Sequence, residues 1–148
     1  MLIGLDPLLT PDLLHALASM GHGDTIALVD ANYPATRGRR LVTLPGAGVT
    51  AILRAVLTVL PVDTFVAQPA VVMQVANEPD TVPPVAAEMN GLLHAHGAGP
   101  AQAIDRQAFY AAAEQAYAIV LTGERRFYGN IILTKGVVPP ADLPPAAL

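Results

Sequence analysis

The chain predicts an α/β domain: a mixed, mostly buried sheet covered by helices. Three observations carry this. Short continuous apolar runs such as Thr25-Ile26-Ala27-Leu28-Val29 have the composition of strands buried on both faces. Between them lie amphipathic stretches, clearest where Val49, Ile52, Leu53, Val56, Leu57 and Leu60 fall at i, i+3, i+4, i+7, i+8 and i+11. No repeat of 20–50 residues interrupts the alternation. A length of 148 residues suffices for one proper core. Residues 1–138 are therefore read as a single domain. Residues 139–148 are proline-dense and without periodicity, and are read as a tail.

Taken in order, Thr10-Pro11-Asp12 reads as a helix start, with a hydroxyl cap, proline at the first position and an acid at the positive dipole end. Leu13, Leu14, Leu17 and Met20 follow at helical spacing, His15 falls off that stripe, and Gly21 is the expected stop. After the Thr25–Val29 strand comes a loop, Ala31 to Pro34, because the residue before proline is pushed out of the α region. Leu41 to Leu44 reads as a second strand, closed by Pro45-Gly46-Ala47-Gly48. The helix from Val49 to Leu60 carries Arg54 on its opposite face and is stopped by Pro61. Ala70 to Val75 is a third buried strand. Pro83-Pro84 opens a weaker helix through Met89 and Leu93 that ends in His94-Ala95-His96-Gly97. Arg106 to Gln115 is alanine-rich and helix-favouring, with Phe109, Ala112, Ala113 and Ala116 on one face. Two last strands, Tyr117 to Thr122 and Asn130 to Thr134, are separated by a hairpin-like connection from Gly123 to Gly129.

Composition narrows the function. Charged residues make up 14% of the chain, against about 25% in an average globular protein. So few charges coat a monomer poorly, and a homo-oligomer is expected. A net charge of −4 with eight basic residues argues against nucleic acid. The one basic cluster, Arg37, Arg39 and Arg40, reads as a solvated loop. Cysteine is absent, which excludes disulfides and thiolate metal sites. The start MLIGLDPLL lacks the basic and long apolar regions of a signal peptide. No charge-free apolar run approaches ~20 residues, so no membrane span is expected and the default location is the cytoplasm.

The polar groups worth weighing cluster in Met20-Gly-His-Gly-Asp24 and at Asp30. His22 stands between two glycines that remove steric cover, and imidazole exchanges protons near neutrality. The competing reading is an exposed residue in a glycine cap. Asp30 follows a buried strand, the edge of an α/β sheet where ligands sit, and can accept sugar hydroxyls or hold a histidine. Against this stands a plain Asx turn opening the Ala31–Pro34 loop, as Asp24 can equally be a turn residue. If Thr25 to Val29 is extended at ~3.3 Å per residue, His22 and Asp30 lie ~20 Å or more apart. Either the Gly-His-Gly loop doubles back or a site pairs groups from two subunits.

His94 and His96, at i and i+2 of a helix, do not face each other, and no carboxylate pattern completes a metal set, so no metal or cofactor is expected. The Gly46/Gly48 loop before a helix is a weak phosphate signal without a Gly-Lys-Ser/Thr. No Gly-x-Ser-x-Gly occurs. Arg106 and Tyr128-Gly129-Asn130 bring the guanidinium, phenol and amide that hydrogen-bond sugar hydroxyls, though each alone also reads as loop decoration.

Together, several stretches resemble the L-fucose mutarotase family, in the superfamily shared with D-ribose pyranase. They are Asp6-Pro-Leu-Leu9 with Leu13-Leu14, Met20-Gly-His-Gly-Asp24, Asp30-Ala-Asn-Tyr-Pro34, Arg106-Gln-Ala-Phe-Tyr110, Ala116-Tyr-Ala-Ile-Val120, Thr122-Gly-Glu124, Tyr128-Gly-Asn-Ile-Ile-Leu133 and Lys135-Gly-Val137. The resemblance implies an α/β/α protein assembled into rings, often decamers, with sites near subunit contacts. It implies His22 as proton donor, and Asp30, Arg106, Tyr128, Gly129 and Asn130 as monosaccharide-binding residues. Arg106 and the Tyr-Gly-Asn triplet match the fucose branch, whereas ribose pyranases tend to have histidine and Tyr-Ala-Asn there. The implied reaction interconverts α and β anomers of L-fucose without a cofactor. Tyr33, Tyr117 or Tyr128 would cover the 6-methyl group. Three rivals stand beside it: a ribose pyranase, a non-catalytic sugar-binding accessory of a transport system, and an oligomeric metal hydrolase using His22, Asp24 and Asp30.

Overall fold

The computed structural model describes residues 2–37 and 40–140. Arg39 and most of the expected tail, 141–148, lie outside the described residues. The elements follow as α1 (Pro11–Ser19), β1 (Thr25–Val29), β2 (Leu41–Leu44), α2 (Val49–Leu57), β3 (Ala70–Met73), α3 (Pro84–Ala95), β4 (Gln102–Ile104), α4 (Arg106–Gln115), β5 (Ala118–Thr122) and β6 (Ile131–Thr134). A short 3₁₀ turn, Ala35–Arg37, precedes β2.

The six strands form one sheet in the order β2-β5-β1-β6-β3-β4. β1 and β5 run parallel, as do β5 and β2, and β3 and β4. β6 runs against both of its neighbours, β1 and β3. The sheet is mixed because of this one reversed strand. Side chains alternate across it and build two cores. Ile26, Leu28, Val120, Ile131 and Leu133 pack with α1, α2 and α3, whereas Ala27, Val29, Ile119 and Ile132 pack with Phe109 and Ala113 of α4. The result is three layers, α/β/α. Both faces of β1 are buried, so its continuous apolar run follows from its place at the centre.

Local signals set the helices as expected. Thr10 caps α1 by accepting from the Leu13 N–H at 3.5 Å, with Pro11 in the first turn. The helix ends at Ser19 rather than at Gly21, because Lys135 Nζ reaches back and takes the Leu17 and Met20 carbonyls at 2.8 and 2.6 Å. Helix α2 stops earlier than its apolar stripe. Thr58 turns its hydroxyl onto the Ala55 carbonyl at 2.7 Å, and the Thr58 and Val59 amides tighten to i−3 bonds. Leu60 is nonetheless buried, so the stripe reports burial beyond the helix.

Two features depart from the sequence reading. Strand β4 carries no apolar run because it is the sheet's outer edge, with two of its three residues exposed. And β5 does not form a hairpin with β6, because β1 lies between them. The connection after β5 therefore crosses the end of β1, held there by Thr122 Oγ donating to the Val29 carbonyl at 2.8 Å and by the Ala31 N–H donating to the Glu124 carbonyl at 2.9 Å.

Phe109 is fully buried between α4 and the sheet, its ring edge-on to Tyr33 with centroids 6.2 Å apart. Phe109→Ala is expected to destabilise the fold by about 3–5 kcal/mol, the usual range for deleting a buried aromatic ring. Urea unfolding followed by circular dichroism checks this; a change below about 1 kcal/mol would mean that the α4 layer is not a packed core.

Candidate functional site

Four elements end at one edge of the sheet: β1 at Asp30, β3 at Met73, β4 at the start of α4, and the crossing connection as it enters β6. Here Asp30, Arg106, Tyr128 and Asn130 line one cavity of about 350 Å³. Its other walls are Asn32, Tyr33, Met73, Tyr110 and Phe127. Residues 100 positions apart in sequence thus meet: the Asp30 N–H donates to Asn130 Oδ1 at 2.9 Å, and Asn130 Nδ2 donates back to Asp30 Oδ2 at 2.8 Å. That reciprocity fixes which end of the amide points where.

Asp30 Oδ1 also accepts from the Asn32 N–H at 3.0 Å, so the Asx turn is present as well as the cavity. Burial pushes the Asp30 carboxyl above its ordinary range; the bonds from Asn130 and Asn32 oppose this, and the charge of Glu124 adds to it. A carboxylate so placed accepts hydroxyl hydrogens strongly because few waters compete.

Arg106 opens α4. The preceding Asp105 caps that helix, its Oδ1 accepting from the Gln107 and Ala108 amides at 2.9 and 3.0 Å, and so leaves the Arg106 side chain exposed on the cavity wall. Tyr128 has φ +64° and accepts the Ala76 N–H on its hydroxyl at 3.2 Å. Gly129 does not line the cavity. It lies over Glu124, where a Cβ would sit 2.6 Å from Glu124 Cγ. Tyr33 and Tyr128 face the cavity, whereas Tyr117 does not: it lies under the Arg40 guanidinium, 5.5 Å from its ring centroid. Within one chain, Tyr117 does not reach the cavity. Met73 and the 75% exposed Phe127 supply apolar surface that the sequence reading did not name.

His22 is elsewhere. The Gly-His-Gly loop stays at the opposite edge, tied to Lys135 directly after β6 by the Gly23 N–H on the Lys135 carbonyl (2.9 Å) and the Lys135 N–H on the Asp24 carbonyl (2.8 Å). Gly23 takes φ +85°, which glycine alone adopts cheaply. The loop does not double back, so one chain does not join His22 to Asp30. His22 is 47% exposed and sets Nε2 3.3 Å from Oδ2 of Asp63, which is 1% exposed. Asp63 is itself held by the Phe65 N–H on Oδ1 at 2.9 Å, and the Phe65 ring lies 5.6 Å from the imidazole. Asp63 was not legible, since it follows the helix-stopping Pro61-Val62 as any loop acid would. Its place shows only in the fold, where Gly136 packs so closely that a Cβ would lie 2.8 Å from Asp63 Cα.

Glu124 is the second residue that sequence reasoning left without a role. Buried, it accepts at Oε1 from the Arg126 backbone N–H (2.9 Å) and Nε (3.0 Å), and at Oε2 from the far guanidinium nitrogen at 3.0 Å. The Arg126 bonds hold its carboxyl down from the ordinary 4.5 to about 2, with the Val49 N–H contributing and burial opposing. The start of α2 is therefore occupied by Glu124, which disposes of Gly46/Gly48 as a phosphate cradle. His96 Nδ1 is engaged with the Leu92 carbonyl at 2.9 Å, and among the described residues no group of three or more His, Cys, Asp or Glu is placed to hold a metal ion. No helix among them is long and apolar enough to cross a membrane.

A depressed carboxyl pKa contributes stability above its unfolded value, which is lost as pH falls through the folded one. The stability difference between the native chain and Glu124→Gln is expected to be constant above about pH 5 and to shrink from 4.5 toward 2. Thermal melts across that range test it, and a difference independent of pH would show that Glu124 is not held as a paired anion.

Residues 3–138 match the RbsD / FucU transport protein family. The chain is 42% identical to the fucose mutarotase of Bos taurus over 147 residues, covering 95% of this chain and 96% of that one. It is 44% identical to the fucose mutarotase of Homo sapiens, covering 91% and 93%. Among solved structures it superposes on the fucose mutarotase of Streptococcus pneumoniae in complex with L-fucose with a TM-score of 0.88 at 36% identity, covering 93% of this chain and all of the other. On the extent of these matches, the chain belongs to the RbsD / FucU family.

Proposed function

We propose that the protein is an L-fucose mutarotase, a cofactor-independent isomerase that interconverts the α and β anomers of the free sugar. The observation that carries this is the Asp30–Asn130 pair in a cavity shared with Arg106 and Tyr128. A buried carboxylate, a guanidinium and a phenol recognise hydroxyls, and Tyr33, Met73 and Phe127 offer apolar surface to a 6-deoxy methyl group. The family likeness to named fucose mutarotases supports the choice of sugar. Gly129 acts through the backbone: it lets the Tyr128–Asn130 segment close onto Glu124.

Mutarotation needs a proton on the ring oxygen and the loss of one from the anomeric hydroxyl. The ring C1–O bond then breaks to give the open aldehyde, C1–C2 rotates, and the hydroxyl adds back to the other face. His22 delivers the proton to the ring oxygen, and solvent water takes the proton that leaves the anomeric hydroxyl. Asp63 behind His22, with Oδ2 3.3 Å from Nε2, orients the imidazole. Since His22 and Asp30 of one chain stand at opposite ends of β1, His22 comes from a second copy of the chain, and the site is completed across a subunit contact in a ring. One placed acid or base contributes roughly 10²–10⁴-fold, enough for a reaction that already proceeds slowly in water.

Saturation-transfer NMR on fucose, ribose, galactose and glucose decides the substrate. Faster anomeric exchange of L-fucose is expected; exchange of ribose alone would assign the chain to pyranose–furanose chemistry instead. His22→Ala should lose the exchange while still binding sugar, and undiminished exchange would favour a non-catalytic accessory. Mixing inactive His22→Ala with inactive Arg106→Ala under subunit exchange should restore activity, because hetero-oligomers regain some intact sites. No recovery would place the whole site in one chain. Sugar affinity should also fall on acidification with a midpoint above the ordinary 3.8 of an aspartate, as Asp30 takes up its proton.

A further inference from the structure

Beside the cavity, Glu124, Arg126 and Glu88 form a chain of charges with no contact to the sugar site's open space. Arg126 grips Glu124 through its fork and donates its remaining guanidinium nitrogen to Glu88 of α3 at 2.8 Å. The stem of Glu124 fills the room left by Gly129, and its carboxylate touches the start of α2, where a Cβ on Gly48 would lie 3.0 Å from Oε2. Its backbone is tied to Ala31, next to Asp30, and to Thr122. Two segments that carry cavity residues, the loop after β1 and the connection into β6, thus meet the start of α2 at one residue. Between Gly129 and the clamp stands Tyr128 at φ +64°, in a region that a bulky residue leaves unless its surroundings over-determine it.

We infer that Glu124 and Arg126 are positioning residues of the sugar pocket: their clamp, seated against Gly129, holds Tyr128 in its left-handed conformation on the cavity wall. This rests on the sugar-binding reading above and adds a requirement that reading does not contain. The ion pair is bidentate and half sheltered, the arrangement in which an arginine fork conveys geometry as well as energy. With the fork released, Glu124 is free to leave the seat under Gly129, and Tyr128 relaxes from φ > 0.

The test reads affinity separately from turnover. Arg126 is 43% exposed in its side chain, so Arg126→Gln opens the clamp without disturbing the core. Glu124→Gln opens it from the buried side. Both variants are measured by thermal melting, by calorimetric binding of L-fucose and by anomeric exchange. Arg126→Gln is expected to weaken L-fucose binding about fivefold, as for the loss of one net hydrogen bond, and to raise KM equally with kcat nearly unchanged. Tyr128→Phe should then cost less in the Arg126→Gln background than in the native chain, since both changes undo one arrangement. Unchanged affinity in Arg126→Gln, or full additivity with Tyr128→Phe, overturns the inference. If the native chain binds L-fucose without exchanging it, the mutarotase reading fails and the binding constants alone judge the clamp. If it binds no sugar, both fail.

Discussion

A strand buried on both faces must also find hydrogen-bond partners along both edges, and in this protein that strand is β1. It is satisfied by β5 on one side and the reversed β6 on the other. Because β5 and β6 are close in sequence yet flank β1, the segment between them is obliged to pass over the end of β1. That crossing brings Tyr128 and Asn130 to Asp30. The same strand also keeps His22 and Asp30 apart, since five extended residues form a rigid spacer of roughly 17 Å before the flanking turns are counted. One constraint therefore gathers Asp30, Tyr128 and Asn130 at one edge and leaves His22 at the opposite one.

The carboxylates divide their work by surroundings. Asp30 is buried among neutral donors, the Asn32 N–H and the Asn130 amide, which do not offset the rise that burial imposes on its carboxyl. Glu124, a few ångströms of loop away, is neutralised by Arg126 and is structural. Asp63 is buried behind an exposed imidazole at the far edge. Acids with the same chemistry thus differ by setting: burial dominates the local balance at Asp30 and an arginine fork dominates it at Glu124.

Much of this was legible before any coordinates. Thr10-Pro11-Asp12 marked a helix start because capping chemistry is local, and the Val49–Leu60 stripe marked a buried face because the helical period acts over one element. Asp30, Arg106, Tyr128 and Asn130 were nameable from residue type and from the resemblance their motifs carry. Asp63, Glu124 and Arg126 were not, because their roles depend on neighbours across the fold. The expected hairpin failed for the same reason: adjacency in sequence does not reveal that a third strand is inserted between two others. Tyr117 does not reach the cavity of its own chain because it enters β5 at the edge where β1 begins, beside Thr25.

By itself the sequence determined the alternation of strands and helices and the absence of cysteine chemistry, and it put His22 and Asp30 at opposite ends of one strand unless the Gly-His-Gly loop doubled back. Tertiary structure alone decided the strand order, and with it which loops meet. Pairing is a long-range choice, settled by packing both faces of β1 at once, and the polar groups of the Met20–Asp30 stretch take their meaning from the edges to which that choice assigns them.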